Sequence, residues 1–111
     1  MRIPSDAIIT PDKLTKYLLV YQEDSDKSLF LARAGFTSEN PDALENAIRK
    51  IIAENDAIHD RTNKFGDYYE VEGELIGVNG VNLGVVTIWI VRIEDKDIYR
   101  FVTLIPQEKK K

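Results

Sequence analysis

The chain contains no cysteine, so it has no disulfide framework, no thiolate nucleophile and no cysteine-based zinc site. A reducing cytoplasm is the expected compartment. The chain has a single histidine, which cannot form an imidazole-rich metal centre. The sequence also lacks a glycine-rich phosphate loop and a G-x-S-x-G elbow. Most familiar catalytic arrangements are therefore excluded, and we expect no metal and no cofactor.

Long hydrophobic runs are also missing. Residues 1–10 contain one brief apolar stretch, too short for a signal-peptide core or a membrane span, so neither secretion nor membrane insertion is expected. Acidic residues outnumber basic ones by 19 to 15, and the formal charge is −4. An acidic protein gains no long-range attraction to phosphate backbones, which argues against a general nucleic-acid binder. Four basic residues within 49–64 nevertheless predict an uneven field.

The chain has the length and composition of one globular domain. Its 111 residues are 43% hydrophobic, and no repeat, linker or shift in composition divides them. We therefore expect a single domain over residues 1–111.

Capping signals predict three helices in the first half of the chain. A Thr-Pro-Asp sequence begins one over residues 11–19, and Ser25 caps a second that Gly35 ends in a left-handed conformation. Asn40 and Pro41 begin the third. Its apolar positions recur at helical spacing, at Leu44, Ala47, Ile48, Ile51 and Ile52.

The second half changes to a period of two, which is typical of strands separated by short turns. Short connections favour antiparallel pairing in sequence order. The predicted fold class is therefore α+β, with N-terminal helices packed on a four-stranded antiparallel β-meander. The predicted strands are 57–62, 67–76, 83–93 and 98–105.

Alternation along the last two strands predicts which sheet face meets the helices. Strict alternation gives the third strand one aliphatic face and places Arg100 beside Val102 and Leu104 in the fourth. The aliphatic faces most simply pack on the helices. This assignment leaves an open face rich in aromatic rings and hydroxyls, suited to binding, formed by Thr87, Trp89, Tyr99, Phe101 and Thr103.

Several polar residues have both a functional and a structural interpretation. His59 could act as a general base, although a lone strand histidine is more often a surface or structural residue. The glutamates at 70, 72 and 74 could bind a hard cation, although such a row is more often solvated. Arg100 either binds an anion or pairs with Glu70 or Glu72. Lys27 opens the second helix, where a cation is mildly disfavoured.

Several short segments, in this order and spacing, resemble a bacterial toxin-associated domain family of unknown function. They are Lys13-Leu14-Thr15-Lys16-Tyr17-Leu18-Leu19, Asp26-Lys27-Ser28, Phe30-Leu31, Gly35-Phe36, Gly66 with Tyr69 and Val71, Thr87-Ile88-Trp89-Ile90, and Arg100-Phe101-Val102-Thr103. The order of helices followed by strands is similar to the barnase, EndoU, colicin and RelE-like ribonuclease superfold.

This resemblance implies metal-independent RNA cleavage, in which the 2′-hydroxyl attacks the adjacent phosphate and gives a cyclic phosphate. Arg100 would then bind the phosphate, and Lys27 would stabilise charge or move a proton. Thr87 and Thr103 would donate hydrogen bonds. Trp89 would stack on a base, with Tyr99 and Phe101 as further RNA-binding residues, and His59 completes the catalytic candidates.

The leading hypothesis is therefore an endoribonuclease of the toxin type, with RNA as substrate and a small antitoxin-like protein as partner. The alternative is a non-catalytic interaction module, such as an antitoxin, immunity or accessory protein, that binds through its sheet face. Apolar residues on both faces of the last two strands also suggest a homodimer.

Overall fold

The computed structural model describes residues 1–19 and 27–107. Helical segments lie on one face of a four-stranded antiparallel sheet whose strands follow sequence order, β1-β2-β3-β4. The sheet is open, with no pairing between its first and last strands. The predicted α+β class and the meander are confirmed.

The first two helical segments are shorter than the sequence predicts. A π-helix spans Lys13–Leu18 within the predicted segment, and helix α1 spans Ser28–Ala32. The predicted cap, Ser25, lies outside the described residues. Gly35 follows α1 with a φ of +86°, so the expected left-handed ending is confirmed.

Helix α2, Pro41–Glu54, begins at the proline as predicted and buries all five apolar positions of its stripe. Asn40 occupies the N-cap position as predicted, but its side chain forms no capping hydrogen bond. The Asn40 side chain instead accepts a hydrogen bond from the Thr37 amide at 2.7 Å and donates to the Gly35 carbonyl at 3.0 Å. It therefore holds the connecting loop rather than the helix end.

The four strands are β1, Ile58–Asn63; β2, Gly66–Ile76; β3, Asn82–Arg92; and β4, Tyr99–Pro106. Each matches its predicted range to within a few residues. The β2–β3 connection is a short turn at Asn79-Gly80, in which the Asn79 side chain accepts a hydrogen bond from the Val81 amide at 3.1 Å and Gly80 has a φ of +87°.

The helices cover the face that was predicted to be open. Tyr69, Trp89 and Phe101 lie opposite one another on β2, β3 and β4, and paired residues share a face. Trp89 is 0% exposed and Phe101 is 3% exposed. On the same face, a Cβ added to Gly73 would lie 2.8 Å from Cγ2 of Ile51, so α2 packs directly over this point. The predicted assignment of faces is therefore wrong.

A bulge in β4 contributes to this difference. Ile88 pairs with Thr103 but Trp89 pairs with Phe101, so Val102 is an extra residue in the strand. Phe101 and Leu104, three positions apart, are consequently both buried. Strict alternation, which grouped Leu104 with Val102 and Arg100, fails at this point.

The N-terminal segment extends the sheet beyond β4. Ile8 forms a parallel bridge with Arg100. The Ile8 amide donates to the Tyr99 carbonyl at 2.8 Å, and the Phe101 amide donates to the Ile8 carbonyl at 2.8 Å. The segment therefore caps part of the β4 edge.

Candidate functional site: a basic groove on the open face of the sheet

The face of the sheet opposite helix α2 carries a groove of about 500 Å³ at the end where the β1–β2 and β3–β4 turns meet. Its wall contains four basic side chains, one acidic side chain and, besides the core residue Phe101, two aromatic rings. The lining residues are Thr10, Lys13, Lys64, Phe65, Tyr68, Ile90, Arg92, Glu94, Arg100, Phe101 and Val102. Of the four basic residues within 49–64 from which an uneven field was expected, only Lys64 lines this groove.

Arg100 is the most constrained of these basic residues. One guanidinium nitrogen, Nη2, donates to Asp95 Oδ2 at 3.2 Å, and both side chains are less than a third exposed. Its Nε is buried and has no hydrogen-bond acceptor among residues 1–19 and 27–107. The predicted alternative partners, Glu70 and Glu72, do not pair with it; the partner is Asp95 in the β3–β4 turn. Arg100 thus combines an ion pair with a donor that remains unsatisfied.

Lys27 and Thr103 lie beside the groove. The Lys27 ammonium donates to the Thr103 hydroxyl at 3.1 Å, joining residues 76 positions apart in the sequence. Partial burial lowers the pKa of Lys27. Thr103 follows Val102, which lines the groove, so this pair adjoins the wall at the β4 bulge. Three of the predicted catalytic residues therefore lie together: Arg100 and Thr103 in β4, and Lys27 bonded to Thr103.

Thr87 and Trp89 are in the core. The Trp89 indole N–H donates to the Thr87 hydroxyl at 2.9 Å, and that hydroxyl donates to the Val71 carbonyl at 3.0 Å. Thr87 is 0% exposed, and Phe101 packs edge-on against Trp89 with ring centroids 5.3 Å apart. No face of the indole is exposed for stacking, so these residues lie away from the groove's opening.

His59 lies on the other side of the sheet from Arg100. It pairs in register with Tyr69, and three strand spacings, about 14 Å, separate β1 from β4. Its Nε2 lies 3.1 Å from the Thr62 hydroxyl and 3.3 Å from Asp67 Oδ1. One phosphate bound at Arg100 therefore cannot also contact His59.

Tyr99 lies close to the His59 group, not to the groove. Its ring is tilted against Tyr69 with centroids 5.5 Å apart. Burial raises the pKa of Tyr99, and the nearby Tyr69 and Asp97 add to the rise, so its hydroxyl stays protonated at neutral pH.

The rest of the open face is apolar and acidic. Val86 and Ile88 are partly buried, and Ile105 is 42% exposed. The glutamates at 70, 72 and 74 alternate along β2 on this face, and Glu72 accepts a hydrogen bond from Gln107 at 3.2 Å. The open face therefore has a basic end and an acidic end.

Sequence reasoning missed Lys13, Lys64, Arg92 and the pairing of Arg61 with Tyr68. The Arg61 guanidinium carbon lies 4.7 Å from the centroid of the Tyr68 ring, directly across the β1–β2 ladder. The short connection from Asn63 to Gly66 could have predicted this cross-strand pair, since a tight turn nearly fixes the register of the two strands. Nothing local in the sequence indicates that Lys13 reaches the same groove.

Within the described ranges, 1–19 and 27–107, no group of three or more histidine, aspartate or glutamate side chains is arranged to hold a metal ion. No helix in the same part of the chain is long and apolar enough to cross a membrane.

The chain matches a known protein family over almost its whole length. Residues 4–108 match a family described as a domain of unknown function, DUF6883, and the chain belongs to that family. This confirms the resemblance to a domain family of unknown function. No curated protein matches the sequence.

Among solved structures, the fold is similar to that of a chain in a contact-dependent growth inhibition toxin–immunity protein complex from Klebsiella pneumoniae 342. The TM-score is 0.68 at 16% sequence identity, and the alignment covers 95% of this chain and 97% of that chain. At this identity the likeness shows a shared fold. The ribonuclease superfold suggested by the sequence stays a prediction.

Proposed function

We propose that this protein is a toxin-type, metal-independent ribonuclease domain that binds the backbone of single-stranded RNA in the basic groove. The observation that carries the proposal is the buried Nε of Arg100, which has no hydrogen-bond acceptor within residues 1–19 and 27–107. Three further basic side chains line the same groove. A guanidinium held in this way is suited to a phosphate oxygen, which would satisfy the remaining donor. The toxin–immunity setting of the structural relative also supports this class of function.

In the proposed reaction the 2′-hydroxyl loses its proton and its oxygen attacks phosphorus, while the bond from phosphorus to the 5′-oxygen breaks and that oxygen takes up a proton. The products are a 2′,3′-cyclic phosphate and a free 5′-hydroxyl. Arg100 binds the phosphate and stabilises the charge that develops on its oxygens. Lys27 stabilises charge beside it or moves a proton, helped by a lowered pKa, and Thr103 orients the Lys27 ammonium through their hydrogen bond.

The test compares wild-type protein with Arg100→Ala on a fluorescently labelled single-stranded RNA. We expect loss of binding and a fall in cleavage of about a hundredfold or more, since a lost oxyanion donor costs this much in other enzymes. Arg33→Ala is the matched control, because Arg33 is exposed and its carbonyl binds Asn79 at the opposite end of the sheet. Equal activity of Arg100→Ala and Arg33→Ala would refute the role of the groove.

A specific observation favours a second candidate, a non-catalytic interaction module. Ile105 is 42% exposed and Ile58 is 67% exposed, and both lie on the open face near the row of glutamates. Such a surface suits a protein partner with an apolar centre and a basic rim. Wild-type protein that neither binds nor cleaves RNA would refute the ribonuclease and favour this candidate.

A further inference from the structure

A second pocket, of about 290 Å³, lies at the same end of the sheet but on its other side. Asp67, Val91 and Tyr99 are paired across β2, β3 and β4, and they alternate onto the face that also carries Trp89. The pocket is bounded by the β1–β2 and β3–β4 turns. Its lining residues are Thr62, Gly66, Asp67, Tyr69, Val91, Arg92, Ile93, Lys96, Asp97 and Tyr99.

The pocket contains two aromatic rings that the core leaves partly accessible. Tyr69 and Tyr99 are both partly buried, and their centroids are 5.5 Å apart at an interplanar angle of 56°. His59 packs edge-on against the outer side of Tyr69, with centroids 5.3 Å apart. These contacts fix the rings, and a fixed ring is a good stacking surface for a flat heterocycle.

A carboxylate is held beside these rings. Oδ1 of Asp67 accepts the Thr62 hydroxyl and also contacts His59 Nε2, while Oδ2 takes part in neither bond. These hydrogen bonds, that from Thr62 foremost, lower the pKa of Asp67 and keep it ionised at neutral pH. An ionised carboxylate only accepts hydrogen bonds, so it selects a ligand edge that donates them, such as an amino group.

Arg92 connects the two sites, because it lines both the basic groove and this pocket. Lys96 adds a second cation at the pocket rim. A strand whose phosphates lie in the groove can therefore pass Arg92 at the end of the sheet and place its next base near the tyrosines. The two openings are suited to one continuous ligand.

We infer that this pocket is a nucleobase subsite for single-stranded RNA, with Tyr69 and Tyr99 stacking on the base and Asp67 accepting from its exocyclic amino group. The inference rests on the proposed function, since the same strand occupies the groove. It predicts a preference for adenine, cytosine or guanine over uracil, which has no amino group.

The first experiment maps binding on isotope-labelled wild-type protein by amide chemical shifts. The probes are 2′-O-methyl tetranucleotides of adenine, cytosine or uracil, whose blocked 2′-oxygen cannot attack the phosphate. We expect shifts at Asp67, Tyr69 and Tyr99 together with Arg92 and Arg100, and binding of the adenine and cytosine probes roughly fivefold tighter than that of uracil. Shifts in the groove alone would overturn the subsite and leave the proposed function standing. Shifts in neither place would overturn both.

The second experiment uses variants of Tyr99. Tyr99→Ala should weaken binding of the adenine probe roughly tenfold, whereas Tyr99→Phe, which keeps the ring, should stay within about twofold of wild type. Tyr17→Ala is the control, because Tyr17 is a 61% exposed tyrosine on the π-helix. Tyr99→Phe also keeps the test valid if the alanine variant unfolds.

A third variant isolates the specificity step. Asp67→Asn presents an amide that both donates and accepts hydrogen bonds, so the protein should then bind the adenine and uracil probes with equal affinity. Retention of the full preference in Asp67→Asn would remove Asp67 from the subsite. Weak binding of Tyr99→Phe, with its fold intact, would overturn the stacking role.

Discussion

The two faces of the sheet satisfy their polar groups in different ways. On the helix side, the Trp89 indole donates to Thr87, and Thr87 donates to Val71, so the buried donors form a closed chain. On the open side, a buried nitrogen of Arg100 has no acceptor within residues 1–19 and 27–107, and apolar Ile88 remains partly exposed. The hydrogen bonds at the centre of the covered face are complete without a ligand, whereas the open face has buried groups that a ligand or partner would satisfy.

The largest expected difference between the faces is in packing. Trp89→Ala removes a fully buried indole and should lower the free energy of unfolding by about 3–5 kcal/mol. Ile88→Ala, its neighbour in β3 on the open face, should cost about 1 kcal/mol, since part of that side chain already contacts water. Urea denaturation of both variants measures the contrast. Equal losses would contradict the assignment of faces.

The second comparison removes one hydroxyl from each face. Thr87→Val leaves the Trp89 N–H unsatisfied in the core, and the expected loss of stability is about 1–3 kcal/mol. Thr103→Val removes the acceptor of Lys27 at a partly exposed site, and about 1 kcal/mol or less is expected. Thermal unfolding by circular dichroism distinguishes the two, and the reverse order would argue against the closed chain of hydrogen bonds.

Arg100→Ala tests whether the open face contributes to folding. The pair with Asp95 is partly exposed, so its loss should cost about 1 kcal/mol or less, while anion binding should be abolished. Chemical denaturation and phosphate titration on the same preparation give both values. A loss of about 3 kcal/mol or more, typical of a broken buried pair, with unchanged anion binding would make Arg100 structural.

The smallest effect concerns acid stability at the pocket. In the folded state the pKa of Asp67 is lowered below its ordinary value of 3.8. The ionised Asp67 therefore contributes fully to the free energy of unfolding above that value, and this contribution is lost as the pH falls through the folded pKa. The difference in unfolding free energy between wild type and Asp67→Asn should therefore be constant near neutrality and should become smaller as the pH falls into the acid range. Thr62→Val should weaken this pH dependence, because the Thr62 hydrogen bond is its main cause.

The order of elements could be predicted because the signals for it are local. Helix α2 begins at Pro41, and the strands end at the turns that glycine and asparagine mark. The assignment of faces could not be predicted in the same way. Both faces of β3 are apolar enough to be buried, and the choice depends on where α2 packs and on the bulge at Val102, which follow from tertiary contacts.

The candidate site was predictable in part. Arg100 and Thr103 are conspicuous in β4 by residue type, and Lys27 by its place at a helix start. The sequence contains no sign that the hydroxyl of Thr87 is used within the sheet by Trp89, since a threonine in a strand is compatible with either face. Lys13 joins the groove through a contact distant in sequence, which periodicity does not report.

The parallel bridge at Ile8 has a consequence for Arg100. The two hydrogen bonds of Ile8 go to the residues on either side of Arg100, and Ile90 pairs with Arg100 from the opposite strand. The main chain at Arg100 is thus fixed from both sides, so anion capture there requires ordering of the side chain alone. Less conformational entropy is then lost on binding, and the N-terminal segment supplies this preorganisation without itself contacting the anion.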